Sequence, residues 1–252
     1  MIQWLVQSMA DLGEGTDPHS WLNAEEAATF AKLNTPKRRE DWLLGRWTAK
    51  QLVRSTLQAQ RGEAWPLERI GIGVEASGAP FVELRLPGRA VQSSGLLERA
   101  FPEELSPILS LSISHSAGTA FCALSDQPGC RLGADIEQIE SRETAFVADF
   151  FTAAEIQRVE QAPEALRASL VTAIWSGKEA VLKAIREGLR SDTRAVECII
   201  EPLPLPVEPW QPFTIRTDPV REPIFTTLNN WQGWWRSYQG FILTMVVGQR
   251  DV

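Results

Sequence analysis

Three carboxylates and a lysine in the second half of the chain have the types and spacing of a metal and phosphate site. Asp135 and Glu137 alternate with small or apolar residues, so a strand at this position turns both to one face. Glu179 and Lys183 stand four residues apart in a helical pattern and therefore share a helix face. Mg²⁺ takes oxygen ligands and usually binds through one or two protein carboxylates together with substrate phosphates. These residues therefore predict a site for Mg²⁺, with Mn²⁺ as the alternative ion, and for a phosphorylated ligand.

Each of these signals also has a purely structural interpretation. Alternating acids are common on exposed strands, and a Glu179–Lys183 pair is an ordinary helix-stabilising contact worth about 0.2–0.5 kcal/mol. His115 stands at the end of a predicted strand between Ser114 and Ser116, where donors can converge on a phosphate. A single histidine, however, is more often structural than catalytic. Taken separately, the patterns leave a ligand site and a solvated surface both open.

Hydrophobic periodicity predicts the elements that must position these residues. It predicts helices over 36–60, 145–151 and 165–187 and another beginning at 152, and strands over 69–86, 111–116, 119–124, 131–139, 195–200, 213–216 and 241–247. The stretch 87–107 is rich in Pro, Gly and Ser and predicts a loop with a short helix. Each half then consists of helices and several strands, which predicts an α+β protein of two similar lobes. The sequence nevertheless shows no strong internal repeat.

The composition restricts the class of protein. The net charge of the 252 residues is −7, which argues against general nucleic-acid binding, because that function requires a basic surface. The basic residues are nevertheless concentrated in two segments, 37–54 and 178–190, and local positive patches suit small polyanionic ligands. No apolar run is long enough for a membrane helix, no signal peptide is visible, and the three cysteines lack metal-type spacing. A reduced, cytoplasmic protein without membrane contact is predicted.

Four blocks in a fixed order carry a resemblance to a known family. They are Ser112–Ser116, Gly133–Glu137, Phe150–Glu155 and Trp175–Ala184, the last followed by Gly188-Leu189. Together they resemble the 4′-phosphopantetheinyl transferase superfamily, and the chain length with one complete motif set is similar to its two-lobe, surfactin-synthetase-activating type. The resemblance implies a monomer of two similar lobes related by a pseudo-two-fold axis. These lobes would be residues 1–125 and 126–252, with the active site between them.

The resemblance implies transfer of the phosphopantetheine arm of coenzyme A to a serine of an apo acyl or peptidyl carrier protein. Adenosine 3′,5′-bisphosphate would be released. Two-lobe members typically accept carriers of fatty-acid, polyketide or peptide synthases. Such carriers are acidic, so basic side chains are expected to contribute to docking, namely Lys37, Arg38, Arg142 and Arg186.

Roles at the reaction centre follow from the same resemblance. Asp135, Glu137 and Glu179 would hold Mg²⁺ on the pyrophosphate of coenzyme A. Glu179, or a water held by the metal, would be the candidate base for the proton of the carrier serine. Lys183 would contact the pyrophosphate. With His115, these last two residues form the implied catalytic set.

Most of the implied nucleotide-binding residues lie upstream of the metal ligands. They are Arg39, Arg46, Gly78, Pro80, Ser114 and His115. The two arginines would hold the 3′-phosphate, the glycine and the proline would border the adenine, and the serine and the histidine would contact the other phosphates. The family commonly has a lysine where this chain has Ala79, so one basic contact near the nucleotide is missing.

Two other functions remain open at this stage. A Mg²⁺-dependent nucleotide pyrophosphohydrolase would use the same carboxylates and lysine, and a non-catalytic module would bind the carrier protein or the nucleotide without reaction. The sequence does not indicate which carrier protein or pathway is served, how promiscuous the protein is, or which metal is native.

Overall fold

The computed structural model describes residues 1–13, 16–62, 64–85 and 109–249. The helices are α1 (Met9–Leu12), α2 (Ala24–Ala31), α3 (Pro36–Arg61), α4 (Thr144–Phe150), α5 (Ala153–Gln161) and α6 (Glu164–Ile185). The strands are β1 (Ile2–Ser8), β2 (Ile70–Val74), β3 (Pro80–Leu84), β4 (Ser110–Ser116), β5 (Thr119–Ser125), β6 (Cys130–Gln138), β7 (Val196–Ile199), β8 (Gln211–Thr217), β9 (Asn229–Tyr238) and β10 (Phe241–Gln249). The predicted loop at 87–107 lies outside the described residues. Among those described, no helix is both long and apolar enough to span a bilayer.

The strand order is similar in the two halves of the chain, although the first half has separate sheets of three and two strands where the second has one sheet of five. In the first half β1 pairs with β5, which pairs with β4, and β2 and β3 form a hairpin beside β4. In the second half β6 pairs with β10, β10 with β9, and the sheet continues through β8 to β7. All pairings are antiparallel, and α3 and α6 each pack on the central strands of their own half. The α+β class is confirmed, whereas a pseudo-two-fold rotation between the halves stays a prediction.

A buried ion pair anchors the long helix of the first half. Lys50 of α3 is fully buried and its Nζ lies 2.5 Å from a carboxylate oxygen of Glu26. Glu26 also closes a capping box with Asn23 at the start of α2 and accepts a hydrogen bond from the backbone N–H of Ile72. One carboxylate therefore joins α2, α3 and β2.

The second half contains an equivalent pair in the same place. Lys178 of α6 is fully buried and its Nζ lies 2.8 Å from Glu155. Glu155 closes the predicted capping box with Thr152 at the start of α5 and accepts from the N–H of Cys198 in β7. Breaking such a buried pair costs about 3–5 kcal/mol because a charge is left uncompensated. Each half thus contains a buried Lys–Glu ion pair that connects its long helix to neighbouring elements. The sequence alone did not reveal these two pairs.

The two sheets meet along β4 and β6 through serine hydroxyls. Ser110, Ser112 and Ser116 each accept a hydrogen bond from the backbone N–H of the β6 residue 22 positions further along the chain. These serines stand at alternate positions of β4, so their side chains lie on the same face of that strand. Around them is a shared apolar cluster in which Phe121 of β5 joins Leu243 of β10. The halves therefore contact through both polar and apolar groups.

Four elements were not predicted from the sequence: β1, α1, α2 and β9. The strand β9 has the sequence NNWQGWWRSY, which mixes Trp with Gln, Gly and Arg instead of presenting an aliphatic run. It nevertheless alternates, with Gly233, Trp235 and Ser237 buried. Gly233 is needed there, because a Cβ atom would lie within 3 Å of the Phe213 ring. The strand is fixed by its two neighbours in the sheet more than by its own propensity.

Candidate functional site

Asp135 of β6 lies at the centre of a hydrogen-bonded cluster formed by three elements. Ser114 of β4 donates from Oγ to Asp135 Oδ1 over 2.7 Å, and Lys183 of α6 donates from Nζ to the same oxygen over 2.6 Å. Lys183 also donates to Ser114 Oγ over 2.8 Å. Asp135 is only 3% exposed, and its Oδ2 is buried without a hydrogen-bond donor among the described residues. The cluster therefore leaves one carboxylate oxygen able to take a further cation.

A glycine brings α6 close enough to β6 to build this cluster. At Gly133 a Cβ atom would lie 1.8 Å from the backbone oxygen of Ala180, a distance that no real structure tolerates. The absence of a side chain lets the helix backbone rest directly on the strand. As a result Glu179 and Lys183 lie over the strand that carries Asp135 and Glu137.

Glu137 is held by two donors. Trp175 Nε1 donates to Glu137 Oε1 over 3.1 Å, and Arg142 donates to Oε2 over 3.0 Å. The Arg142 guanidinium also lies over the ring of Phe146 at 4.7 Å. Burial, and next the charge of Asp135, raise the pKa of Glu137. The orientation of this carboxylate is thus fixed from both sides.

Glu179 lies within electrostatic reach of both other carboxylates. Burial, followed by the charge of Asp135, raises the pKa of Glu179 to about 7; Lys183 opposes this shift and Glu137 adds to it. Such mutual repulsion is what a bound cation would relieve. Within the described ranges, however, no group of three or more His, Cys, Asp or Glu side chains is gathered in a metal-holding arrangement. The donor set and the unpaired Asp135 Oδ2 fit Mg²⁺, and the ligand roles stay predictions.

Arg46 of α3 lines a cavity of about 260 Å³ in the first half. Its guanidinium lies 4.7 Å from the ring centre of Trp42, and its Nε is buried without a hydrogen-bond partner in the described part of the chain. Burial lowers the pKa of Arg46. Burial raises the pKa of the Cys122 thiol, and the charges of Arg46 and Lys183 oppose that rise. A cation with unused donors beside an aromatic ring suits a nucleotide phosphate.

Arg39, predicted as a second phosphate ligand, has structural partners. Its Nη1 donates to the backbone oxygens of Phe30 and Leu33 over 3.2 and 3.1 Å. The guanidinium also lies 3.9 Å from the centre of the Phe30 ring. Arg39 therefore secures the end of α2, and its contact with a phosphate stays a prediction.

The remaining predicted site residues lie at turns and strand ends. His115 is exposed at the end of β4, and Gly78, at a φ of 91°, shapes the turn that leads into β3 at Pro80. Of the predicted docking residues, Lys37 is exposed at the start of α3, whereas Arg142 and Arg186 are held in ion pairs. The structure thus brings Ser114, Asp135 and Lys183 into direct contact, and Glu137 and Glu179 lie within electrostatic reach of Asp135.

Sequence reasoning assigned no site role to Trp175 and gave Arg142 only a docking role. Trp175 belongs to the motif that also contains Glu179 and Lys183, which was a usable signal. Its indole, however, points back to a strand 38 residues earlier, and no spacing rule predicts that contact. Arg142 follows Glu137 through an irregular segment, so its pairing with Glu137 depends on the tertiary fold.

The match to a family model covers the region that carries this cluster. Residues 131–238 match the model described as the 4′-phosphopantetheinyl transferase superfamily. Over this part the chain is similar to that superfamily. The matched region contains Asp135, Glu137, Glu179 and Lys183 and excludes the first half, where Arg46 lies. The resemblance read from the motifs is confirmed at the superfamily level, while the two-lobe type stays a prediction.

Several solved structures are similar to about half of the chain. The Neisseria meningitidis holo-acyl-carrier-protein synthase is 18% identical and covers 47% of this chain and 97% of its own, with a TM-score of 0.37. The Helicobacter pylori enzyme in complex with coenzyme A is 19% identical, covering 49% and 97%, with a TM-score of 0.34. A Chronobacterium ammoniagenes ACPS–CoA complex is 22% identical, covering 50% and 96%, with a TM-score of 0.34. Among curated proteins none matches this chain. The family assignment depends on the matched model and not on these distant structures.

Proposed function

We propose that the protein transfers the 4′-phosphopantetheine arm of coenzyme A to a serine of an apo acyl or peptidyl carrier protein. The observation that carries this proposal is the Lys183–Ser114–Asp135 cluster, with Glu179 beside it, inside the region that matches the superfamily. A buried carboxylate with one unpaired oxygen, next to a lysine, suits a cation bound to a pyrophosphate. The cluster therefore suits phosphoryl-group chemistry better than it suits a structural ion pair.

Asp135, Glu137 and Glu179 would hold the Mg²⁺ ion, which when bound supplies positive charge against the charge that develops as the pyrophosphate breaks. Trp175 and Arg142 would fix the orientation of Glu137 for this role. Outer hydrogen bonds of this kind hold a carboxylate ligand in place.

Glu179 would take the proton of the attacking serine hydroxyl. Without metal, burial and then the charge of Asp135 raise its pKa to about 7, and a bound Mg²⁺ would lower this pKa and keep the carboxylate ionised, as a base must be. The serine oxygen would bond to the phosphorus that carries the pantetheine arm, and the bond from that phosphorus to the bridging oxygen would break. Adenosine 3′,5′-bisphosphate would leave with the bridging oxygen, and Lys183 would offset its negative charge.

The nucleotide end of coenzyme A would lie on the first half of the chain. Arg46 offers a buried, unpartnered Nε and Trp42 an aromatic face in the same cavity. Gly78 and Pro80 would border the adenine, and His115 and Ser114 would contact the phosphates. In this proposal residues 1–125 form the nucleotide lobe and residues 126–252 the metal lobe of a monomer. The carrier proteins would be those of fatty-acid, polyketide or peptide synthases. The cytoplasmic location of the protein also stays a prediction.

A carrier-labelling assay tests the proposal. The protein is incubated with coenzyme A, Mg²⁺ and apo carriers from fatty-acid, polyketide and peptide synthases side by side, and each carrier is weighed by mass spectrometry. Transfer adds one phosphopantetheine arm to the carrier. Unmodified carrier with cleaved coenzyme A would indicate the pyrophosphohydrolase, and retained binding without any reaction would indicate a non-catalytic module.

Asp135→Asn keeps the size of the side chain and removes its charge. We expect transfer to fall on the order of a hundredfold or more, because charge stabilisation at the reaction centre is lost. Asp149→Asn, at an exposed position of α4, is the matched control and should keep the wild-type rate. Wild-type transfer by Asp135→Asn at saturating Mg²⁺ would refute the assignment of Asp135.

A further inference from the structure

Arg186 occupies an unusual backbone position at the end of α6. It follows the last helical residue with φ 66° and ψ 25°, the left-handed region in which helices usually place glycine. Its N–H donates back to the oxygens of Leu182 and Lys183, which closes the helix. An arginine in this conformation is less favourable than a glycine because its Cβ approaches the following carbonyl oxygen. Any advantage of an arginine at this position therefore lies in its side chain and not in its backbone.

The side chain of Arg186 reaches from the second half of the chain to the first. Its Nη1 forms a close ion pair with Glu75, a residue 111 positions earlier. Both side chains are partly exposed, at 27% and 36%. Solvent-exposed pairs of this kind contribute little to stability, so the fold does not depend on this contact.

Glu75 begins the turn between β2 and β3. Its N–H donates to the oxygen of Ala79 over 2.8 Å, and its own backbone oxygen accepts from the N–H of Gly78 over 2.8 Å. The Ser77 hydroxyl lies 3.4 Å from the Glu75 carboxylate and accepts from the N–H of Ala79. Holding the Glu75 side chain therefore holds the whole turn, including Gly78.

The base of the β2–β3 hairpin is well anchored and its tip is not. Ile70 and Ile72 are buried, and the N–H of Ile72 donates to Glu26. Val74, at the tip, is 55% exposed. A two-stranded ribbon is only marginally stable by itself, so its tip needs an outside contact to keep one position.

We infer that the Arg186–Glu75 pair braces the 75–79 turn against the end of α6. The helix that carries Glu179 and Lys183 then also fixes the turn that leads to Pro80. Resting on the proposed function, this makes Arg186 a positioning residue for the nucleotide end of coenzyme A. It also gives Arg186 a task other than the carrier docking expected from the sequence.

The substitution Arg186→Gly removes the ion pair with Glu75 but suits the left-handed backbone conformation that ends α6. Glycine is favoured in the left-handed conformation, so the melting temperature should stay unchanged or rise. The amides of Glu75 and Gly78 should exchange hydrogen about fivefold faster, because the turn opens more often. Coenzyme A should bind about fivefold more weakly by calorimetry, since the turn must be ordered on binding. Arg194→Gln, which removes another paired surface cation, should change none of these quantities.

The charge swap Glu75→Arg with Arg186→Glu should restore slow exchange and most of the coenzyme A affinity. Wild-type exchange at 75–79 in Arg186→Gly would overturn the brace. Weaker binding in Arg186→Gly with tighter binding in Glu75→Gln would also overturn it, because Arg186 would then contact a phosphate itself. If wild-type protein neither binds coenzyme A nor labels a carrier, the proposed function fails, and hydrogen exchange still decides the brace.

Discussion

Glu179 shows how one residue links the stability of the site to its occupancy. Its carboxyl is half-buried near two other acids, and its pKa is raised from 4.5 to about 7. A group with a raised folded-state pKa stabilises the fold below its unfolded pKa and loses that contribution as pH rises through the folded value. The loss therefore spans about pH 4.5 to pH 7 and, at about 1.4 kcal/mol per unit, amounts to roughly 3 kcal/mol.

The metal-free protein is accordingly expected to lose stability between pH 5 and pH 7 in part through Glu179. Glu179→Gln should flatten this section of the profile of unfolding free energy against pH, measured by urea denaturation. Mg²⁺ should remove the same loss in the wild type, because a cation favours the ionised carboxylate. Parallel pH profiles of wild type and variant would contradict the raised pKa.

The sequence predicted which residues meet at the site better than it predicted their contacts. Asp135 and Lys183 were expected at one site, and the structure joins them directly. Ser114 was assigned to a coenzyme A phosphate, but in the structure it donates to Asp135 and accepts from Lys183. Motif order identifies the members of a site, whereas hydrogen-bond partners depend on the packing of separate elements.

At the scale of elements, the contact of α6 with β6 decides whether the site can form. Gly133→Ala would push a methyl group into the backbone of α6, which cannot move away as a flexible side chain could. We expect a loss of about 1–3 kcal/mol in unfolding free energy, typical of overpacking, together with loss of transfer. Urea denaturation and the labelling assay provide the measurements.

Gly45→Ala is the matched control for this substitution. Its added Cβ would lie 3.2 Å from a methyl group of Ile113, a side chain that can shift. Gly45 is in the interior of α3, where alanine is the better helix former. The expected change in stability is small. An equal loss in both variants would show that the backbone contact between α6 and β6 at Gly133 is not the cause.

Long periodic segments were predicted well. The helix predicted over 36–60 is α3, and that over 165–187 is α6, each within two residues at its ends. The strand β9 was missed because its Trp, Gly and Arg residues form no aliphatic pattern. Its position is imposed by β8 and β10, an effect that no local window of sequence contains.

On the scale of the whole molecule, two similar halves are held together at one seam. Hydroxyls of β4 bond the backbone of β6, and an apolar cluster with members from both sheets lies alongside. Arg186 adds a contact between the end of α6 and the β2–β3 turn. The Ser114–Asp135–Lys183 cluster therefore lies where the halves meet, and its role as the active site stays a prediction.

The matching ion pairs, Lys50–Glu26 and Lys178–Glu155, mark equivalent positions in the two halves of the chain. Following Lys178 is Glu179, with Lys183 four residues further; following Lys50 is Gln51, with Ser55 four residues further. The first half therefore lacks counterparts of both Glu179 and Lys183, which the second half contributes to the proposed site. Titration with coenzyme A should accordingly saturate at one molecule per chain. A stoichiometry of two would mean that the first half binds a second coenzyme A molecule without these two residues.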